Sequence, residues 1–196
     1  NWPTWAVSEL RESIAASPPF GDLYVENALE DLAFIHSSTG TTGKPRIFPV
    51  PRTDLPQMQS VYREHMELMG ITSNDICAIT LTFGLPRGAW SCVQAVESVG
   101  ATVVPLSSGK VTPAEKLFDI VEALGVTVLQ GAGSYLSYLT RRAHEFGIDT
   151  RNSSIRLFLS NGEAMTAETR RYIEESWNAR IVMNFASTDL SWVSAE

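Results

Sequence analysis

The sequence predicts an α/β fold, in which helices cover a mostly parallel sheet built from βα repeats. From residue 76 onward, short apolar segments alternate with segments of helical periodicity that end at glycine. The apolar segments are near-continuous runs of Val, Ile, Leu and Phe, which are typical of strands buried on both faces of a parallel sheet. Their spacing of about 25–30 residues suits strands joined by right-handed helical crossovers.

The part of the chain before this alternation has fewer regular elements. Ser8–Ala16 is predicted to be a short helix, and "LAFIH" a strand that leads into a polar loop. The prolines of "RIFPVP" favour an extended edge strand, because proline cannot donate a ladder hydrogen bond. Thr53 and Pro56 indicate the start of a longer helix, and Gly70 its end. We interpret one apolar face of this helix as core, formed by Leu55, Met58, Tyr62, Met66 and Met69.

Strands and helices alternate regularly in the remainder of the chain. The strands are predicted at "ICAITL", "ATVVPL", "VTVLQ", "IRLFLS" and "RIVMNF". The helices are predicted over about residues 88–99, 113–124, 134–146 and 167–177. In "TPAE", Thr112 is predicted to cap the second of these helices, with Pro113 in its first turn and Glu115 completing a capping box.

Composition and charge exclude several classes of protein. The chain has 196 residues, 44% of them hydrophobic and 19% charged, which is typical of one soluble globular domain. Its net charge is −7 and it has no run of Lys or Arg, so we expect no nucleic-acid partner. No apolar stretch reaches the roughly 18–20 residues that span a bilayer, so we expect no membrane partner. We interpret Cys77 and Cys92 as buried free thiols in a reducing, cytoplasmic compartment.

The stretch "SSTGTTGK", from Ser37 to Lys44, has the composition of an anion-binding loop. Its glycines tolerate positive φ, so successive backbone N–H groups can form a concave nest around an anion. Lys44 adds a positive charge, and together these groups suit a polyphosphate better than a carboxylate or a sugar. The stretch differs from the loop of P-loop NTPases, because Ser38 replaces the first glycine and Pro45 the hydroxyl that binds magnesium. A chance loop of small polar residues is the alternative.

Three polar, glycine-bearing or small-residue stretches follow predicted strands: "SSTGTTGK", "SNGEA" and "ASTD". Ligands of open parallel sheets bind in the loops beyond the carboxyl ends of the strands. We therefore expect the three stretches to lie together at one shared site.

Longer segments resemble one known family. "SSTGTTGKPR" resembles the phosphate-binding signature of the adenylate-forming superfamily, which includes acyl-CoA synthetases, nonribosomal-peptide adenylation domains and luciferases. The order of Lys before Pro is similar to that of the phenylacetate–coenzyme A ligase branch. The resemblance covers residues from about Ser8 to Ser194, through the segments "PPFGDLY", "FGLPRGAW", "ESVGATVVPLSSG", "GSYL", "SNGEAMTAETR" and "NFASTDL".

The resemblance implies which residues bind the nucleotide. The β- and γ-phosphates of ATP are implied to lie against Ser37, Ser38, Thr39, Gly40, Thr41, Thr42, Gly43 and Lys44. The adenine is implied to lie along Asn161, Gly162, Glu163 and Ala164. Phe185 matches the aromatic residue that packs on the adenine, although a phenylalanine at a strand end can also be core.

The resemblance also implies a magnesium ligand. Thr188 and Asp189 match the family's Thr–Glu pair, whose acidic member helps to hold Mg²⁺. Asp is a suitable ligand because Mg²⁺ prefers carboxylate oxygen, but it is one methylene shorter than Glu. The implied catalytic residues are Lys44, Thr188 and Asp189, and a turn or helix cap is the alternative role of Asp189. Ala186 replaces the family's glycine in the same motif.

Two aromatic residues match the region of the family that surrounds the acyl group. Phe83 corresponds to a residue that lines the acyl pocket, and Trp90 falls on the helix that follows. Flat aromatic walls favour an aryl or arylacetic acid as the substrate. Packing within the core is the alternative role of both residues.

The function that the resemblance implies is that of an AMP-forming acid–thiol ligase. ATP and Mg²⁺ activate a carboxylic acid to an acyl-adenylate, and coenzyme A then displaces AMP. Alternatives are transfer to a carrier protein or a protein side chain, or a nucleotide-binding module that has lost catalysis, as the changes at Ala186 and Asp189 suggest. Residues 1–196 are expected to be part of the N-terminal, ATP- and acyl-binding domain, with the small C-terminal domain outside this chain. A homodimer is a further expectation from the branch.

Overall fold

The structure of the chain is a computed structural model that describes residues 4, 6–22, 29–38, 45–188 and 190–196. The chain divides into two compact units. The first unit comprises Asn1–Met58 and Leu85–Arg87, and the second unit comprises Gln59–Gly84 and Gly88–Glu196.

The first unit contains helix α1 (Val7–Ala16) and a two-stranded antiparallel sheet of β1 (Leu32–Ser37) and β2 (Ile47–Pro51). Ser37 pairs with Ile47 where the two strands approach the loop that joins them. In a sheet of two strands both are edge strands, which explains how β2 accommodates its prolines. The predicted strand at "LAFIH" and the predicted edge strand at "RIFPVP" are confirmed.

The expectation that "SSTGTTGK" follows a strand of the parallel sheet is wrong. The stretch joins β1 to β2, and these two strands are antiparallel. A parallel crossover needs about a dozen residues or more, so a connection this short returns the chain alongside the strand it has just left. The apolar pattern of "LAFIH" could not reveal this, because strands of either kind of sheet share it.

The second unit is built on a six-stranded sheet. Its strands are β3 (Ile76–Ile79), β4 (Thr102–Pro105), β5 (Val128–Gly131), β6 (Leu157–Asn161), β7 (Arg180–Ser187) and β8 (Ser191–Ala195). They lie in the order β4-β3-β5-β6-β7-β8, and all neighbours are parallel except β7 and β8, which are antiparallel. The predicted α/β fold with a mostly parallel sheet is confirmed.

Five α-helices accompany these strands in the described part of the chain after β2. They are α2 (Leu55–Leu68), α3 (Gly88–Ser98), α4 (Ala114–Leu124), α5 (Gly133–Glu145) and α6 (Ala167–Trp177). Each starts and ends within one or two residues of its predicted bounds. Tyr62 and Met66 of α2 are buried, as predicted for its apolar face.

One face of the large sheet packs against α4, α5 and α6 in a single apolar core. Leu129 of β5 and Phe158 of β6 lie at its centre, and both are almost fully buried. The ring of Trp177, from α6, meets the ring of Phe158 edge-to-face at 5.5 Å. This core fixes β5, β6 and β7 side by side, so that their carboxyl ends lie together at one edge of the sheet.

Two local predictions differ from the structure. Thr112 does not cap α4, because the helix begins at Ala114 with Pro113 as its N-cap, and no side chain caps it. The hydroxyl of Thr112 donates instead to the carbonyl of Leu106, at 2.5 Å. Strand β8 was not predicted, because its five residues include two serines and form no continuous apolar run. No helix in the described part of the chain is long and apolar enough to cross a membrane.

Candidate functional site

A cavity of about 460 Å³ lies at the carboxyl ends of β6 and β7, where β8 returns beside β7. It is the kind of place where open α/β sheets bind ligands. Residues of "SNGEA" and of the end of β7 line it together, and their binding of a nucleotide stays a prediction. The lining residues are Gly162, Glu163, Ala164, Met183, Asn184, Phe185, Ala186, Ser194, Ala195 and Glu196.

The loop after β6 supplies one wall of the cavity. Gly162 has a φ of +86°, a left-handed conformation that turns the chain sharply at the end of the strand. The carboxylate of Glu163 accepts a hydrogen bond from the backbone N–H of Ser134, in the first turn of α5. A carboxylate is favoured at this place by the positive end of the helix dipole. Glu163 thereby ties the loop to α5 and holds its backbone along the cavity.

Phe185 lies on β7 and lines the same cavity with 63% of its surface exposed. A large aromatic side chain that faces open space is available to stack on a flat ligand. The alternative interpretation of Phe185 as core is therefore wrong. Its predicted contact with an adenine stays a prediction.

A group of buried polar side chains lies at the carboxyl ends of β5, β6 and β7, and the sequence analysis named only Asn161 among them. Asn161 and Asn184 are register partners on β6 and β7, and 6% and 5% of their surfaces are exposed. Gln130 of β5 is 1% exposed, and its amide donates to the thiol of Cys92 on α3. Asn161 donates to the same sulfur, at 3.6 Å. Asn161 was named from the family resemblance, and the only sequence signal for Gln130 and Asn184 was a polar residue within an apolar strand.

Cys92 is a buried free thiol, as predicted, and so is Cys77. Burial raises the pKa of Cys92 to about 11, and the hydrogen bonds from Gln130 and Asn161 offset part of this rise. Burial, and secondarily the charge of Asp75, raise the pKa of Cys77 to about 12. Both are therefore neutral thiols at physiological pH and poor nucleophiles.

The predicted phosphate-binding loop is described only at its first two residues. Ser37 is buried at the end of β1, and its N–H donates to the carbonyl of Leu85 at 3.1 Å. Ser38 holds the base of the loop closed: its N–H donates to the carbonyl of Arg46, and its hydroxyl oxygen accepts from the N–H of Arg46, both at 3.0 Å. The remaining predicted residues, Thr39, Gly40, Thr41, Thr42, Gly43 and Lys44, lie outside the described residues.

The turn between β7 and β8 carries the predicted catalytic pair. Thr188 is half-buried in this turn, and Asp189 lies outside the described residues. The hydroxyl of Ser187 accepts a hydrogen bond from the N–H of Leu190 at 3.0 Å, which closes the turn. Within the described ranges, no group of three His, Cys, Asp or Glu side chains is placed to hold a metal ion.

Phe83 and Trp90, predicted to line the acyl pocket, contact one another. Their ring centroids are 5.3 Å apart and their planes meet at 81°, an edge-to-face arrangement. The indole N–H of Trp90 donates to the carbonyl of Gly84 at 2.7 Å, and 38% of the Trp90 surface is exposed. Trp90 is thus held in one orientation with part of its ring available to a ligand.

Comparison with known proteins agrees with this geometry. A family model described as AMP-binding enzyme matches residues 4–195. The phenylacetate-coenzyme A ligase of Pseudomonas putida is 26% identical over 175 residues, which are 89% of this chain and 38% of that protein. The phenylacetate-coenzyme A ligase of Aromatoleum evansii is 27% identical over 174 residues, which are 89% of this chain and 38% of that protein.

A solved structure is similar over nearly the whole chain. It is a 2-hydroxyisobutyryl-CoA ligase in complex with 2-HIB-AMP and CoA, with a TM-score of 0.88 and 28% identity over 96% of this chain and 40% of that one. The chain thus spans about two-fifths of the length of the proteins that it matches. It belongs to the AMP-binding enzyme family, in the phenylacetate–coenzyme A ligase-like branch that its phosphate-binding signature predicted.

Proposed function

We propose that the whole protein uses ATP to convert a carboxylic acid to an acyl-adenylate, and then transfers the acyl group to coenzyme A. The observation that carries the proposal is the cavity at the ends of β6 and β7. The exposed ring of Phe185 offers a stacking surface for an adenine, and the backbone of Gly162 and Ala164 offers hydrogen-bonding groups to its edge. Family membership and the names of the relatives support coenzyme A as the acceptor.

The first half-reaction joins two anions. A carboxylate oxygen attacks the α-phosphorus of ATP, and the bond from that phosphorus to the pyrophosphate oxygen breaks, so that the electron pair leaves with pyrophosphate. Catalysis therefore depends on neutralising charge and on aligning the attack opposite the leaving group. No protein nucleophile is needed, which is compatible with the neutral state of both thiols.

The chain's own residues would provide that neutralisation. Lys44 would lie beside the departing pyrophosphate as a positive charge. Ser38 accepts from the N–H of Arg46 and keeps its own hydroxyl proton, which it could donate to a phosphate oxygen. Mg²⁺ held by Asp189, with Thr188 beside it, would add further positive charge at the phosphates when bound.

We further propose an aryl or arylacetic acid as the substrate. The support is the pair of Phe83 and Trp90, whose edge-to-face contact and hydrogen bond to Gly84 fix an aromatic surface that is partly exposed. A second ring can pack on such a surface with favourable geometry.

Pyrophosphate exchange tests the activation step. The whole protein, with Mg²⁺ and a panel of carboxylic acids, should incorporate labelled pyrophosphate into ATP with at least one acid. Coenzyme A should then release AMP and form the thioester, as seen by mass spectrometry. Binding of ATP and Mg²⁺ in calorimetry with no exchange for any acid would contradict the proposal and favour a nucleotide-binding module. Exchange without thioester formation would indicate a protein acceptor.

A loop variant tests the phosphate-binding residues. Lys44→Ala combined with Gly43→Ala should weaken ATP affinity by about tenfold or more, since it removes a charge-assisted hydrogen bond and restricts the loop backbone. The melting temperature should not change. Lys110→Ala, at an exposed lysine, is the matched control. Unchanged ATP affinity in the double variant would count against the loop assignment.

A further inference from the structure

We infer that Tyr62 is a positioning residue for the proposed reaction. Through Ser191, it holds the turn that carries Thr188 and Asp189 in one conformation. The inference rests on the proposed function, because Thr188 and Asp189 are predicted to act at the phosphates of ATP. Tyr62 lies on α2, outside every segment that the sequence analysis assigned to the site, and was interpreted there only as part of an apolar core face.

A short hydrogen bond joins α2 to the end of this turn. The hydroxyl oxygens of Tyr62 and Ser191 are 2.6 Å apart, although the two residues are 129 positions apart in the chain. Only 1% of the Tyr62 surface is exposed, and a hydrogen bond in such a buried place is stronger than one in water. Ser191 pairs with Ser187 across the base of the turn. The bond therefore acts on the residue that closes the turn.

Ser191 has a backbone conformation that needs support. Its φ is +64°, in the left-handed region that residues other than glycine rarely adopt. A serine is less stable there than in an ordinary strand conformation, so other conformations of the turn compete with this one. A buried hydrogen bond made in the observed conformation raises the population of that conformation. Tyr62 supplies such a bond.

The residue after Ser191 is held by two helices. Trp192 is 5% exposed, and its indole N–H donates to the hydroxyl of Ser91 on α3 at 3.3 Å. The ring of Tyr62 meets the Trp192 ring edge-to-face, with 5.4 Å between their centroids. His65, on the next turn of α2, makes a second edge-to-face contact with this ring at 6.0 Å. The start of β8 is therefore fixed to α2 and α3, and the hydroxyl of Tyr62 fixes the residue just before Trp192.

The helix that carries Tyr62 is itself attached to the large sheet. Met66 and Met69, near the C-terminal end of α2, are fully buried. The guanidinium of Arg180, at the start of β7, donates to the carbonyl of Met69 at 3.1 Å. Tyr62 thus projects from a helix anchored to the strand whose other end carries the turn. Such support matters because a displacement of about 1 Å in a catalytic group can lower a rate about 100-fold.

The turn needs a fixed conformation because of the residues that it carries. Thr188 is half-buried in it, and Asp189 is the next residue in the chain. Both are predicted to meet charge on the phosphates, and groups that stabilise charge are most effective when they are already in place before the reaction. A bond that favours one conformation of the turn therefore favours the step in which pyrophosphate leaves.

Kinetics of Tyr62→Phe test the inference. The substitution removes the hydroxyl and keeps the ring that contacts Trp192. In pyrophosphate exchange with the whole protein, we expect kcat to fall about fivefold or more. The KM for ATP should change by less than about twofold, because the residues that line the cavity include neither Tyr62 nor Ser191. A residue that only stabilises the fold would leave the kcat of the folded protein unchanged.

The matched control is Tyr172→Phe, at a tyrosine on α6, which should leave both constants unchanged. An unchanged kcat in folded Tyr62→Phe would overturn the inference. If this variant does not fold, Ser191→Ala removes the same hydrogen bond from the other side and replaces it in the test.

Two substitutions of Ser191 separate the conformation from the hydroxyl. Ser191→Ala removes the hydroxyl and keeps a side chain that disfavours positive φ, so its kcat should fall as much as that of Tyr62→Phe. Ser191→Gly also removes the hydroxyl, but glycine adopts positive φ without strain, so its kcat should stay within about twofold of the native value. Equal losses in the alanine and glycine variants would overturn the inference.

A double variant shows whether the two residues act through one bond. Tyr62→Phe combined with Ser191→Ala should be no slower than the slower single variant, because each substitution removes the same interaction. Losses of kcat that multiply in the double variant would show two independent effects and would overturn the inference.

Hydrogen exchange gives a readout that does not depend on activity. The N–H of Leu190 donates to the hydroxyl of Ser187 across the turn, so its exchange rate reports how often the turn opens. In the unliganded protein, Tyr62→Phe should raise this rate about fivefold or more and leave the amides of β6 unchanged. An unchanged rate at Leu190 would overturn the inference, whether or not the protein is active. Absence of pyrophosphate exchange in the native protein with every acid would instead contradict the proposed function, so the two failures are distinguishable.

Discussion

The buried polar side chains at the two ends of the parallel sheet differ in how completely they are hydrogen-bonded. At the amino end, the carboxylate of Asp75 is 3% exposed and both of its oxygens are hydrogen-bonded. At the carboxyl end, the side chains of Gln130, Asn161 and Asn184 are equally buried and keep several atoms without a partner among the described residues. The difference teaches that paired side chains hold the strands together at the amino end, whereas the buried amides of the carboxyl end form fewer internal hydrogen bonds.

The amino end is a closed network around Asp75. Arg156 donates to both carboxylate oxygens, at 2.6 and 3.0 Å, and also to the carbonyl of Gly70 at 2.8 Å. Thr127 donates to the carboxylate at 2.7 Å and accepts from the N–H of Ile76 at 3.0 Å. These contacts link β3 to the residues that precede β5 and β6, so the network fixes the register of three strands at once.

The largest expected effect comes from breaking that network. Asp75→Asn removes the charge that Arg156 and Thr127 pair with, and leaves the guanidinium beside a neutral amide. Loss of one partner of a buried pair costs about 3–5 kcal/mol, and we expect about 2–3 kcal/mol here because 45% of the Arg156 side chain is exposed to solvent. Urea unfolding measures the change. Asp119→Asn, at an exposed aspartate, should change stability by less than about 0.5 kcal/mol; an equal loss in both variants would contradict the role of Asp75.

A smaller loss of stability is expected when Asp75, at the same amino end, is protonated in acid. Burial by itself raises the pKa of Asp75, but the hydrogen bonds from Arg156, Thr127 and Thr72 outweigh burial and hold the pKa below its ordinary value. The folded state therefore binds the proton less tightly than the unfolded state. The contribution of the Asp75 carboxylate to the free energy of unfolding is complete above the ordinary pKa of 3.8. It is lost as the pH falls through the lower pKa of the folded state.

The measurement is urea unfolding from pH 6 to pH 2. The native protein should lose more stability over this range than the folded Asp75→Asn variant, because the variant lacks the titrating group. Parallel curves for the two proteins would show that Asp75 does not contribute to the acid dependence.

The smallest effect compares a paired with an unpaired hydroxyl at the carboxyl end. Thr80 is buried and its hydroxyl donates to the carbonyl of Gln130 at 2.6 Å, so Thr80→Val should cost about 1 kcal/mol. Ser160 is fully buried and its hydroxyl has no partner among the described residues, so Ser160→Ala should cost less than half as much or stabilise the protein. Differential scanning calorimetry of both variants measures the two changes in stability. A larger loss for Ser160→Ala would show that the carboxyl end is paired internally after all.

Much of the fold was predictable because each prediction used a local signal. The strand at "IRLFLS" and the helix α6 follow from apolar runs and helical periodicity, and glycines after helices indicate where they end. β8 was missed because it is a short edge strand in which serines interrupt the apolar residues. The cap was predicted at Thr112, one residue before the observed N-cap, because proline is accommodated at Pro113 as an N-cap as well as in the first turn.

The candidate site was predictable in its motifs and only partly in its geometry. "SNGEA" and Phe185 were identified from their resemblance to a family, and the structure places both along one cavity. The exposure of Phe185 and the bond from Ser134 to Glu163 depend on residues that lie far apart in the chain. Gln130 and Asn184 had almost no signal in the sequence, since single polar residues in apolar strands are common in any protein.

The sequence by itself determined the alternation of strands and helices, the buried state of the two thiols, and a loop whose small polar residues and lysine suit a polyphosphate. Each of these is a property of neighbouring residues, so composition and periodicity are enough to show it. Only the tertiary structure decided that β1 pairs with β2 and that Gln130, Asn161 and Asn184 lie together under α3. Strand pairing and burial join residues distant in the chain, and no local pattern contains that information.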